Sequence, residues 1–200
     1  MLWDAPLELP ADLPPFDKVM LLGEPSLFRA KYPFLCLSPG DSGEKALFAQ
    51  SRFPSEVLSG QVFVGSIFNA LNRRQLECLG IECVVDLTLY DSPVERHKFP
   101  SNDYLNLPIA KDDPTALLDL DSFCLQAFQW LNRPAKLLIV CLDGDSFAPG
   151  LAIALLKFLK KEQSMHLISM SVFQKRGTVK VDKAFYGKVL EYSPNYALMQ

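Results

Sequence analysis

The sequence predicts an α/β layer sandwich: a central, mainly parallel sheet flanked by helices. Three observations predict it. The 200 residues are 49% hydrophobic, enough to bury one sizeable core. Short apolar runs bounded by turn residues alternate with segments of helical periodicity, the pattern of βα units on a parallel sheet. The stretch KLLIVCLDGDSFAPGLAIALLKFLKK, residues 136–161, reads as strand, tight loop and helix. Its apolar run at 137–141 lacks polar alternation, as a strand covered on both faces does. The helix is expected from about residue 148, with Pro149 in the first turn, where a missing N–H costs nothing.

Taken in order, residues 1–16 carry Pro6, Pro10, Pro14 and Pro15 among leucines and acids and suit an extended leader. Residues 18–22 (KVMLL) read as a short strand, and residues 24–34 as a brief helix with Leu27 and Phe28 on its apolar side. Residues 38–52 form a Ser-, Gly- and Pro-containing polar linker. A strand at 62–64 is expected to end at Gly65, and a helix over 69–79 to be capped by Gly80. Strands follow at 82–89 and 104–109. Residues 117–131 place Leu120, Phe123, Cys124, Ala127, Phe128 and Leu131 at helical intervals. After the central unit come amphipathic helices over 166–176 and 183–192, separated by GTVKVD. The division expected is 1–37, linker 38–52, main domain 53–193 and tail 194–200.

Composition excludes several function classes. A net charge of −3 without a polybasic tract offers no general attraction to nucleic acid or anionic membrane. The longest strongly apolar helical stretch, 151–159, is interrupted by Lys157 and falls far short of the ~20 residues a bilayer span needs. The opening Met1-Leu2-Trp3-Asp4 has neither the basic nor the apolar region of a secretion signal. Five cysteines, Cys36, Cys78, Cys83, Cys124 and Cys141, are odd in number and lack C-x-x-C spacing. They read as reduced thiols of a cytoplasmic protein, with the nucleus as a second compartment. His97 and His166 share no metal-ligand spacing, so neither metal nor other cofactor is expected.

The loop after the central strand carries the chemistry. Gly144 stands between Asp143 and Asp145, and a turn joining a strand's carboxyl end to a helix's amino end gathers N–H groups into an anion cradle. In parallel sheets ligands bind at that end of the strands. Cys141 would form the cradle floor.

This arrangement resembles the phosphate-binding loop of the dual-specificity (cysteine-dependent) protein phosphatases, His-Cys-x-x-Gly-x-x-Arg followed by Ser or Thr. Cys141, Gly144 and Ser146 match. Val140 replaces the His, Phe147 the phosphate-binding Arg, and Ala148 the hydroxyl that eases thiolate departure. VFVGSIFNAL, LGIECVVDLT, YLNLPIAKDD and VFQKRGTVKVDKAFYGKVLEY resemble further family elements in the right order, across about 53–193. KVMLLGEPSLFRAKYPFLC resembles the end of the rhodanese-like domain that precedes the catalytic domain in one phosphatase group.

The resemblance implies a vestigial nucleophile, Cys141, and a vestigial general acid, Asp112, one residue from Asp113. On local grounds both aspartates are more often turn or cap residues. The implied phosphate loop is Leu142, Asp143, Gly144, Asp145, Ser146 and Phe147. A phosphocysteine mechanism needs a thiolate, a clamping cation and an acid. A bidentate Arg supplies two bonds of roughly 1.5–3 kcal/mol each, and Phe147 supplies neither. A loop carboxylate at ~7 Å, with an effective dielectric of ~20, repels a phosphate dianion by roughly 5 kcal/mol. It opposes an anionic nucleophile as well. The implied function is that of a pseudophosphatase related to the serine/threonine/tyrosine-interacting-like proteins. Such a protein holds signalling proteins, protein kinases or phosphoproteins, through surface contacts. The competing reading is a weak or altered-specificity phosphatase in which an Arg from elsewhere, such as Arg176, reaches the loop.

Overall fold

The structure, a computed structural model, describes residues 26, 53–88, 94, 99–100, 103–110, 119–180 and 182–199. The chain divides into two compact units, Met1–Cys36 and Leu37–Gln200. In the first, Ser26 is described and is helical. The leader and strand read there, the rest of that helix, and the linker at 38–52 lie outside the described residues.

In the second unit a five-stranded sheet runs in the order β1 (Ser55–Leu58), β2 (Val62–Ser66), β5 (Lys136–Cys141), β3 (Ile81–Asp86), β4 (Tyr104–Asn106). β1 is antiparallel to β2, and the other pairings are parallel. Apolar on both faces, β5 takes the centre. Leu137, Ile139 and Cys141 enter one core, and Leu138 and Val140 enter the other, following the two-residue period of a strand. The helices α1 (Ile67–Leu71) and α2 (Arg73–Leu79) cover the second core. The first is covered by α3 (Leu120–Asn132), α4 (Phe147–Leu159), α5 (Met165–Arg176) and α6 (Lys183–Glu191). α4 is buried almost all round, as a helix without a polar face must be. The α/β sandwich and its mainly parallel sheet are as expected, and α4, α5 and α6 begin within one residue of the expected starts.

Local polar groups account for the differences. The single helix expected over 69–79 is two, broken where the Asn72 side chain accepts the Gln75 N–H at 3.1 Å and caps α2. β2 does not stop at Gly65 but continues to Ser66. A Cβ at Gly65 would lie 2.4 Å from Asn69 Oδ1, which accepts the Ser66 N–H at 2.7 Å. β3 ends at Asp86 instead of 89, because that carboxylate turns back to Thr88, accepting its N–H at 2.9 Å and its hydroxyl at 2.7 Å. β4 ends at Asn106 instead of 109; there the Asn106 side chain donates to the Asp86 and Thr88 carbonyls. β1 was not anticipated. Its turn to β2 uses Gly60 at φ 67°. α3 starts at Leu120 behind the Asp119 cap, and residues 117–118 are outside the described set. Residues Tyr196–Met199 form a 3₁₀ turn, tied down by the Tyr196 hydroxyl donating to the Lys157 carbonyl at 3.2 Å. No described helix is long and apolar enough to cross a membrane.

Candidate functional site: the loop after the central strand

Cys141 closes β5 at its carboxyl end and is 1% exposed. The loop then passes hard against the end of β2. At Gly144 φ is +75°, and a Cβ there would fall 2.6 Å from the Ser66 amide nitrogen and 2.7 Å from the Gly65 carbonyl carbon. Only glycine combines that backbone angle with that approach. α4 follows, with Ser146 as its N-cap.

The Asp143 side chain, 35% exposed, turns back onto its own loop. Its Oδ1 accepts the Asp145 N–H at 3.0 Å, the Ser146 N–H at 3.1 Å and the Ser146 hydroxyl at 2.9 Å. The Cys141 thiol donates to the same oxygen at 3.4 Å. Oδ2 pairs with Lys180 at 3.2 Å. An aspartate two and three residues ahead of free amides readily makes such bonds. Burial pushes the Asp143 carboxyl up. The Asp145 amide, the Ser146 hydroxyl, Lys180 and the Ser146 amide together outweigh it, holding the group well below its usual 3.8.

This has a consequence for pH. A depressed carboxyl contributes stability that is complete above its unfolded value of 3.8 and is lost as the pH falls through the folded value. The stability gap between the parent chain and Asp143→Asn should therefore narrow between about pH 5 and about pH 3. Urea unfolding at both values tests it; a constant gap would refute the assignment.

Asp145 behaves differently from expectation. Instead of facing an incoming anion with Asp143, it pairs through Oδ1 with Arg176 Nε at 3.0 Å and accepts the Thr178 hydroxyl at 3.0 Å. Arg176 does reach the loop. Its guanidinium, 3% exposed, also donates to the Ser55 hydroxyl at 3.4 Å and backs the loop at Gly144. The charge is committed to Asp145.

The two residues standing at the family's His and Arg positions are core. Val140 is fully buried in the second cluster. Phe147, 7% exposed, packs edge-on against Phe185 with centroids 5.1 Å apart. Leu142 is 61% exposed at the rim. Asp112 and Asp113, like His97 and Cys36, lie outside the described residues. Burial first of all pushes the Cys83 thiol up to about 11 and the Cys124 thiol up to about 12; both are inert core groups. Among the described residues no cluster of His, Cys, Asp and Glu could hold a metal ion. A groove of about 530 Å³ does open, but at the amino ends of β3 and β4 between Leu71, Ile81 and Phe99, the end of the sheet away from Cys141.

Lys180, Thr178, Ser55 and the Tyr186 hydroxyl, which donates to the Ser146 carbonyl at 3.3 Å, were not anticipated. Lys180 and Thr178 lie in the polar GTVKVD connection, which carries no local signal of contact with a loop more than thirty residues earlier. Arg176 was marked by its place in the closing segment.

Comparison with known proteins places the fold. The protein-tyrosine-phosphatase IBR5 of Arabidopsis thaliana is 26% identical over 145 residues, which is 71% of this chain and 52% of that protein. The chain thus spans about half the length of that relative. Human DUSP28 superposes with a TM-score of 0.61 at 21% identity, covering 74% of this chain and 97% of that structure. The human tyrosine phosphatase-like serine/threonine/tyrosine-interacting protein superposes with a TM-score of 0.56 at 20% identity, covering 70% and 96%. No family model matches the chain.

Proposed function

We propose that this chain, dual-specificity-phosphatase-like in fold, is a pseudophosphatase: a non-catalytic interaction module in phosphorylation signalling. The observation that carries the reading is the Asp143 carboxylate beside the Cys141 sulfur, holding two amides and a hydroxyl of the loop. Phe147 removes the cation that would clamp transition-state charge. Partners are signalling proteins, kinases or phosphoproteins, held through protein surface in the cytoplasm or nucleus. Recognition through the phosphate itself would have to displace Asp143. That one structural neighbour is named a phosphatase-like interacting protein agrees with this reading.

Arg176 supports the runner-up, a weak phosphatase with a relocated arginine, because its guanidinium abuts the loop. It ranks second because that guanidinium already pairs with Asp145. Assay of p-nitrophenyl phosphate hydrolysis separates the two. The parent chain and Cys141→Ser should be indistinguishable from buffer, and turnover that disappears in Cys141→Ser would overturn the non-catalytic reading.

A further inference from the structure

We infer that the outward face of α5 is a self-association surface, on which a second copy of this chain seats its own α5, antiparallel, about a two-fold axis. α5 buries Ile168, Ser169, Val172 and Arg176 and leaves Leu167 60% exposed and Met170 56% exposed. A single exposed leucine is ordinary on a protein surface. Here two large apolar side chains stand three residues apart, which makes them neighbours on one helix face and a single patch. The other exposed large hydrophobics among the described residues, Leu142 and Leu190, lie in a loop and on another helix.

The spacing of the exposed residues says what fits there. Gln163, Leu167, Met170 and Gln174, all exposed, follow one another at intervals of four, three and four, the spacing of a seam between two paired helices. The order reads alike from either end: apolar side chains in the middle, an amide at each end. An isologous contact needs that property, because one patch must fit itself. With the axis midway between Leu167 and Met170, each Leu167 meets Met170 of the second copy. Each Gln163 then meets Gln174 of the second copy, and their amides both donate and accept. One residue further out, Glu162 of one copy comes opposite Lys175 of the other, a pairing of opposite charge. The Lys175 ammonium donates to the Val57 carbonyl at 3.0 Å, and an ammonium has two further donors for a carboxylate. No Asp, Glu, Lys or Arg stands between Gln163 and Gln174, so two such faces do not repel each other. α5 is 12 residues long, about 18 Å. A contact of that length falls in the small class, below about 1,200 Å² in total, that holds transient complexes. The dimer is therefore weak and concentration-dependent.

The experiment is sedimentation equilibrium of the full chain between about 5 and about 500 µM, where the parent should show a reversible monomer–dimer equilibrium. Leu167→Glu and Met170→Lys, both at exposed positions that tolerate polar side chains, should each raise the dissociation constant at least roughly tenfold. Mixed in equal amounts, the two variants should recover association, since in this register the new carboxylate of one chain faces the new ammonium of the other. Unchanged urea midpoints show that the variants keep the fold. A parent that stays monomeric throughout overturns the inference, whatever else covers the face. A dimer that both substitutions leave intact uses another surface and overturns it as well. Variants that each lose the dimer but fail to associate when mixed overturn the antiparallel two-fold seating. Should a charged variant fail to fold, Leu167→Gln must still weaken the association of the parent; unchanged association overturns the inference.

Discussion

Truncating Phe147 to alanine should destabilise the fold by about 3–5 kcal/mol, the usual range for deleting a buried phenylalanine. The ring is 7% exposed, meets Phe185 edge-on at 5.1 Å and belongs to the main core together with Leu151 and Phe185. The site does not collapse easily, because Gly150 already lets Phe185 in: a Cβ there would stand 2.4 Å from Phe185 Cε1. Since a whole domain is worth only roughly 5–15 kcal/mol, the loss should appear as a large drop in the urea midpoint. A change below about 1 kcal/mol would mean that the ring is not packed as described. The same geometry bears on repair. Phe147→Arg would forfeit the ring packing against Phe185 and put a charge where the core holds a ring. It should not on its own give phosphate binding, and isothermal titration with phosphate checks that.

Asp145→Ala should cost about 3–5 kcal/mol, because it leaves the Arg176 guanidinium buried without its carboxylate. Adding Arg176→Met to that variant should recover part of the loss by removing the stranded charge. A double-mutant cycle by chemical denaturation reads this directly. If Asp145→Ala is neutral, or the double variant is additive, then the pair does not bear on stability. Arg176 thereby gains a structural role, backing the loop at Gly144 and tying it to β1 through Ser55. That role explains an arginine beside the cradle without assigning it to phosphate.

Much of this could be read along the chain. The unbroken apolar run 137–141 required a strand buried on both faces, and β5 lies at the centre of the sheet. The helical spacing of Phe123, Cys124, Ala127 and Leu131 required one buried face, and α3 buries them. The break at Asn72 and the early ends of β3 and β4 were hidden. Each turns on one polar side chain that bonds nearby backbone, and hydrophobic periodicity carries no record of that. Asp143 and Asp145 illustrate a further gap. Their spacing placed two carboxylates in the loop, but only the folded chain distinguishes the one directed over Cys141 from the one held by Arg176.

What the order of residues settled is the layer architecture, the position of Cys141 at a strand end, and the loss of positive charge at residue 147. These follow from periodicity and residue chemistry within a few neighbouring positions. The direction Asp145 takes, and the enlistment of Lys180 and Arg176 as partners of the loop carboxylates, came with the packing of α5 and its connection to α6 against the end of the sheet. A polar side chain in a loop goes where a partner compensates its burial; here those partners lie 31 and 37 residues further along, where no local pattern could point to them.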